Sequence, residues 1–419
     1  MSFYPGETYA HEIKDGVDFY VQTRLIQKEE DGCAASEEDA AGQEWNVGIA
    51  LWEQIKEGEA AGCSPYFPVP EGLEDFHLAS SSRGYSDLSD HSETKNVVKQ
   101  LFYRMLTERT GHELPWGSLT GIRPTKIALS RLEEGWKEEE IRSFMKKNYL
   151  ASDEKIDLSI EIAAREKMLL EPLDYDRGYS LYVGIPFCPT TCAYCSFTSY
   201  PIEAWKTRVE EYLDALCKEI SYVGAISKEK KLNTIYIGGG TPTTLEADQL
   251  DRLLTHLEET FSYEEIKEIT VEAGRPDSIT REKLEVLKRH KIPRISINPQ
   301  TMQQKTLDLI GRKHTVEDIL RVYGMARELK FENINMDLIA GLPGETVEDV
   351  KDTLRQIEEL SPDSITVHSL AVKRASRLAQ MPELKEAALP EERGRQMEAM
   401  LDLAAESDAK MGKTPYYLY

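Results

Sequence analysis

Hydrophobic positions change rhythm near residue 175. Before that point, residues 19–26 and 45–51 mix β-branched and aromatic side chains in partial alternation, which predicts two strands. The stretch 28–44 between them is acidic and rich in Ala and Gly, and predicts a solvated loop. Residues 65–92, rich in Pro, Gly and Ser, predict irregular chain. Apolar residues then recur at helical spacing and predict helices over 93–110, 124–134, 137–149 and 153–170. Ser152, followed by Asp153 and Glu154, predicts the N-terminal cap of the last.

After residue 175, a strand at 180–185 and a helix at 203–225 come first. Strands at 234–237, 268–272, 294–297, 333–339 and 364–369 then alternate with helical segments. Six strands separated by helices predict parallel βαβ units with right-handed crossovers. An incomplete (β/α)6 barrel and an open doubly wound sheet share this pattern, and periodicity does not separate them. The chain therefore reads as α/β in three parts: an α+β domain over 1–175, a (β/α) core over 176–380, and the start of a further helical region over 381–419. The terminal Pro415-Tyr416-Tyr417-Leu418-Tyr419 has no polar tail, which predicts a chain that stops inside a domain.

Composition narrows the function classes. The chain has 419 residues, enough for two to three domains at roughly 150 each. Lys plus Arg total 51 against 74 Asp plus Glu, a formal charge of −23. That balance argues against a general nucleic-acid or anionic-membrane surface. No apolar run approaches the length of a membrane span, and the start lacks a basic n-region with an apolar h-region. A cytoplasmic protein is the expectation. Six cysteines are too few for a disulfide framework, yet Cys188, Cys192 and Cys195 crowd into one short segment.

That segment, Cys-x3-Cys-x2-Cys directly after a predicted strand, carries the sharpest chemical signal. Structural zinc normally takes four closed ligands, whereas three thiolates on one loop leave a position open. Soft thiolates favour zinc or iron–sulfur, and a [4Fe-4S] cluster on three cysteines keeps one iron free for a ligand. A zinc site completed by a distant His stays open on spacing alone. The second strand runs into Gly238-Gly239-Gly240-Thr241-Pro242-Thr243, and the third ends in Glu272-Ala273-Gly274-Arg275-Pro276. Gln300 ends the fourth, with Arg312 following; the fifth carries Asp337-Leu338-Ile339-Ala340-Gly341-Leu342-Pro343-Gly344. These residues fall at predicted strand C-termini, where barrel active sites form.

The order of these motifs resembles the radical S-adenosylmethionine (SAM) superfamily, and this favours the incomplete (β/α)6 TIM-like barrel. The strings from Tyr236 to Thr243 and from Asp337 to Gly344 look like its oxygen-independent coproporphyrinogen III oxidase group. The segment from Leu114 to Lys126 is similar to HemZ-type coproporphyrinogen dehydrogenases. The resemblance implies a [4Fe-4S] cluster on Cys188, Cys192 and Cys195, and SAM as cofactor. It implies SAM contacts from Tyr182, Tyr194, Gly239, Gly240, Thr241, Glu272, Gln300, Arg312, Asp337 and Ala371. It implies a tetrapyrrole substrate, a reductant for the cluster, and oxidative decarboxylation of two propionates to vinyl groups. Tyr182 would lie beside the cluster loop, and Lys373 and Arg374 would pair propionates. Arg123 and Lys126 read as helix-start residues, and His368 as a sheet or core histidine. The sequence departs from the oxidase pattern at Phe197, where a fourth cysteine is expected, and at Gly184, where a histidine is. Phe197 is shared with HemW-type haem chaperones, the alternative reading. A tRNA-modifying relative is a third, disfavoured by the negative charge.

Overall fold

An antiparallel sheet forms from β1 (Thr8–Glu12), β2 (Asp18–Gln27), β3 (Trp45–Gln54) and β4 (Phe76–Tyr85), in that spatial order. Four helices follow: α1 (His91–Thr110), α2 (Thr125–Glu133), α3 (Glu138–Tyr149) and α4 (Asp153–Leu170). The structure, a computed structural model, describes residues 8–12, 18–27, 45–54, 76–85, 91–119, 123–197, 199–381 and 390–418. Both predicted strands are present as β2 and β3. β1 was not foreseen, and β4 corrects the irregular reading of 65–92. The Ser-rich strand β4 pairs with β3 from Phe76 to Tyr85, so ladder hydrogen bonds override its weak intrinsic preference. The predicted loop 28–44 lies outside the described residues.

All four predicted helices form within two residues of their expected ends. Ser152 caps α4, its hydroxyl accepting from the Lys155 amide at 3.3 Å. Ile141 and Met145 of α3 pack with Ala128 of α2 and with Ile156, Ile160 and Ala163 of α4. Those spacings of three and four residues place each set on one helix face. The chain divides into two compact units, Met1–Glu171 with Pro415–Tyr419, and Pro172–Thr414.

The second unit is built on a parallel sheet of β5 (Gly178–Ile185), β8 (Lys231–Gly239), β9 (Glu268–Gly274), β10 (Arg294–Ile297), β11 (Ile334–Ala340) and β12 (Ser364–Ser369). Between β5 and β8 lie two short strands, β6 (Phe187–Cys188) and β7 (Tyr200–Pro201), and helices α5 (Ile202–Trp205) and α6 (Val209–Ile226). The later crossovers carry α7 (Ala247–Thr260), α8 (Arg281–Arg289), α9 (Gln304–Leu309), α10 (Val316–Glu328) and α11 (Val347–Leu360). α12 (Pro390–Lys410) ends the unit, adding Met400 and Ala404 to the core.

Spatial order in this sheet follows chain order without reversal. A doubly wound sheet reverses at a switch point, whereas a sheet that always advances in one direction curls toward a barrel. The six strands therefore form a curled, incomplete barrel, with β5 and β12 as edges. The central strands are buried on both faces, as parallel sheets require, while β12 is only partly buried. His368 lies in β12, as its reading as a sheet histidine has it, and is exposed rather than in the core. The predicted helix 203–225 is broken by a 3-10 turn at Lys206–Arg208. Trp205 packs against Tyr200, ring centroids 5.1 Å apart, and fixes the first turn apart from α6. No helix among the described residues is long and apolar enough to cross a membrane.

Candidate active site

The three cysteines occupy the loop leaving the C-terminal end of β5. Cys188 lies in β6, whose pairing with β7 closes the base of the loop. Cys192 is buried, Cys188 and Cys195 are partly buried, and all three are free thiols. The loop is pinned by segments distant in sequence, the turn after α9 and the 3-10 turn Arg377–Gln380. The Ala193 amide donates to Ile310 O at 2.8 Å, and the Leu378 amide donates to Ala193 O at 2.8 Å. Arg377 Nη2 donates to Thr191 O at 2.7 Å, and Thr190 Oγ1 to Gly311 O at 3.3 Å.

Glycines after β8 admit this loop. The Gly240 amide donates to Ile185 O at 2.7 Å, and the Thr241 amide to Phe187 O at 2.7 Å. A Cβ on Gly240 would stand 2.5 Å from Phe187 O, so no larger residue fits without movement. Gly239 has φ +106°, a region that L side chains rarely adopt. The close approach made by this run is to the protein's own cysteine loop. Thr241 Oγ1 then donates to Cys188 Sγ at 3.5 Å.

A carboxylate wall lies on the neighbouring strands. Tyr182 and Tyr236, register partners on β5 and β8, stack with centroids 5.7 Å apart and planes 11° apart. The Tyr236 hydroxyl donates to Glu272 on β9. Burial, reinforced by Asp337, pushes the Glu272 carboxyl up to about 7 despite that hydrogen bond. Asp337 on β11 accepts from Asn335 Nδ2 at 2.7 Å. Asn335 in turn accepts from Ser364 Oγ at 2.8 Å.

Gln300 is buried with φ +68°, its amide donating to Asp337 O at 2.9 Å and its carbonyl accepting from the Ile339 amide at 2.9 Å. Its backbone thus extends the short strand β10 beside β11. Arg312 is 5% exposed; Nη1 donates to Asn298 O, and Tyr194 and Cys192 face the guanidinium. Its Nε is buried without a partner. Tyr194 packs with Ile310, Ile339 and Leu342. Ala371, Lys373 and Arg374 follow β12 and are exposed. Phe197 is 71% exposed, and a Cβ on Gly184 would meet only the Tyr182 ring, at 3.6 Å. Arg123 stands before α2 with Nη2 3.7 Å from Glu166 Oε1, a helix-start ion pair.

Reading the sequence missed Arg275, Asp277 and Tyr236. Arg275 is 3% exposed and donates to the cysteine loop. Its signal was present: a cation and an anion flanking Pro276 at a strand's C-terminal end. Tyr236 was legible by parity, since residues 236 and 238 share a strand face.

The donor set fits an iron–sulfur cluster. Three soft thiols share one loop, and each of Cys188 and Cys195 is pushed above the usual thiol range chiefly by burial, with Cys192 adding to it. Among the described residues, no group of three His, Cys, Asp or Glu stands ready as a metal cage, the thiols included.

Residues 182–357 match the family model of the radical SAM superfamily. Over 352 residues the chain is 42% identical to the oxygen-independent coproporphyrinogen-III oxidase-like protein HemZ of Bacillus subtilis, covering 83% of this chain and 70% of that relative. It is 38% identical over 195 residues to the heme chaperone HemW of Bacillus subtilis, covering 46% of this chain and 51% of the relative. Among solved structures it resembles coproporphyrinogen III oxidase (HemN) from Escherichia coli, a radical SAM enzyme, with a TM-score of 0.51 and 31% identity. That match covers 56% of this chain and 53% of the other.

Proposed function

Because the chain belongs to the radical SAM superfamily, among its oxygen-independent coproporphyrinogen III oxidase-like members, we propose that it converts coproporphyrinogen III to protoporphyrinogen IX. The observation that carries this reading is the 42% identity over 83% of the chain, joined to a three-cysteine loop at the mouth of a curled parallel sheet. The HemW alternative rests on Phe197 and on relatives that align over about half their length.

The bound [4Fe-4S] cluster and SAM supply one-electron cleavage of a sulfonium, which makes hydrogen abstraction from an unactivated carbon possible. Cys188, Cys192 and Cys195 hold the cluster. Glu272, as a carboxylate, accepts hydrogen bonds from the two ribose hydroxyls of SAM. Asp337, Gln300, Arg312, Tyr182, Tyr194, Ala371 and the Gly239-Gly240-Thr241 run complete the cofactor wall. Lys373 and Arg374 pair substrate propionates from the segment after β12. Each propionate loses one hydrogen atom from its β-carbon, CO2 and one electron, leaving a vinyl group. With SAM and the cluster bound, the adenosyl group would supply the acceptor for that hydrogen, the electron would go to an acceptor outside this chain, and a separate one-electron donor would be needed for the cluster. The free thiols of the loop suit the reducing cytoplasm, where we place the protein.

The test is anaerobic reconstitution with iron and sulfide, followed by reduction and addition of SAM with coproporphyrinogen III. Porphyrin fluorescence after oxidation and 5′-deoxyadenosine are both expected, and both should vanish in Cys188→Ala. Deoxyadenosine without porphyrin product would mean a different substrate. Tight haem binding with neither product would select the chaperone.

A further inference from the structure

Arg275 leaves the end of β9 as a buried cation, only 3% exposed. One end of its guanidinium is clamped by Asp277, with Nε to Oδ1 at 3.0 Å and Nη2 to Oδ2 at 2.6 Å. The other end reaches into the cysteine loop. Nη1 donates to Thr190 O and to Thr190 Oγ1, both at 2.8 Å, and points at Cys192 Sγ from 3.7 Å. Asp277 is backed in turn by buried His314, whose Nδ1 is 3.8 Å from Oδ1.

Stability alone does not account for this arrangement. Arg275 loses its hydration on burial, and Asp277, whose side chain keeps 21% exposure, only partly restores it. Chemistry at sulfur gives the pair a use. An N–H directed at a thiolate withdraws charge from it, which favours the reduced, more negative form of an iron–sulfur cluster. Asp277 fixes the direction of that N–H and offsets part of its positive charge.

We propose that Arg275, clamped by Asp277, is a positioning residue that holds the loop at Thr190 and aims a cationic N–H at Cys192, and so sets the cluster's reduction potential. The proposal rests on the assignment of Cys188, Cys192 and Cys195 as cluster ligands. Removing the cation and removing its counter-charge should then act in opposite directions. In Arg275→Met the sulfur loses its donor, and the midpoint potential falls. In Asp277→Asn the guanidinium keeps its donor role and loses its anion, and the midpoint rises.

The measurement is an EPR-monitored redox titration of the reconstituted full chain without SAM, in wild type and both variants, with iron content determined for each. Shifts of opposite sign are expected. Shifts of the same sign, or none, overturn the proposal, because a purely structural role predicts no such pairing. If Arg275→Met fails to load iron, Asp277→Asn decides alone: a raised midpoint supports the proposal, and an unchanged or lowered one overturns it. A wild type that binds no cluster would defeat the functional assignment itself, a result distinct from unmoved potentials in loaded variants.

Discussion

Glu272 shows how one strand position ties burial to pH. Burial raises its carboxyl from 4.5 to about 7, so the folded chain holds a proton that the unfolded chain gives up. The stability from this proton is complete below about pH 4.5 and is lost as the pH climbs through about 7, a span on the order of 3 kcal/mol. Glu272→Gln, which imitates the protonated form, should flatten the urea stability of the cluster-free protein between about pH 5 and 8. An unchanged slope would mean that the carboxyl titrates normally. In the proposed site Glu272 serves the two SAM hydroxyls best as a carboxylate, which only accepts, so SAM affinity should rise as the pH passes through 7. Gly240 poses a steric counterpart. Gly240→Ala sets a methyl against Phe187 O and should cost about 1–3 kcal/mol, read from the urea midpoint.

Three helices of the second unit, α8, α10 and α11, begin on threonine caps. Thr315 accepts from the Asp318 amide at 3.2 Å and Thr346 from the Asp349 amide at 3.3 Å, each within a reciprocal capping box. Thr315→Ala and Thr346→Ala should each cost about 1 kcal/mol, and the double variant about the sum, since the two caps share no partner. Chemical denaturation of the three variants checks this; a double variant no weaker than either single one would show that the caps are coupled. Elements of this kind were legible in advance because helical period, cap and following strand agree along the chain. Strands 294–297 and 364–369 fall where they were read for the same reason. β4 was not legible, because Ser80-Ser81-Ser82 carries no strand signal until β3 supplies its partners. Nor was the break before α6, which depends on Trp205 meeting Tyr200. The cysteines and Glu272 were marked by motif. Arg275 carried a local signal beside Pro276, but its targets, Thr190 and Cys192, lie far away in sequence.

The whole chain carries a formal charge of −23, and its proposed substrate carries four carboxylates. Long-range repulsion should slow their encounter at low ionic strength, and salt should relieve it as the screening length shrinks to about 10 Å at 0.1 M. The association rate, followed by stopped-flow quenching with salt varied, should therefore rise. A fall would show that Lys373 and Arg374 dominate the approach. Charge reversal at both positions should weaken tetrapyrrole binding, and unchanged affinity would remove them from the site. The unreversed strand order also bears on how the protein is made. Translation delivers the six strands in their spatial sequence, so the sheet can be laid down strand by strand from the ribosome. The cysteine loop emerges after the first strand, yet its clamps at Ile310, Arg377 and Leu378 belong to the fourth and sixth repeats. Until that last repeat is synthesised, the hydrogen bonds that pin the loop from residues 377 and 378 cannot form. The first loop of the sheet is thus the last to be secured, once the sixth strand has been made.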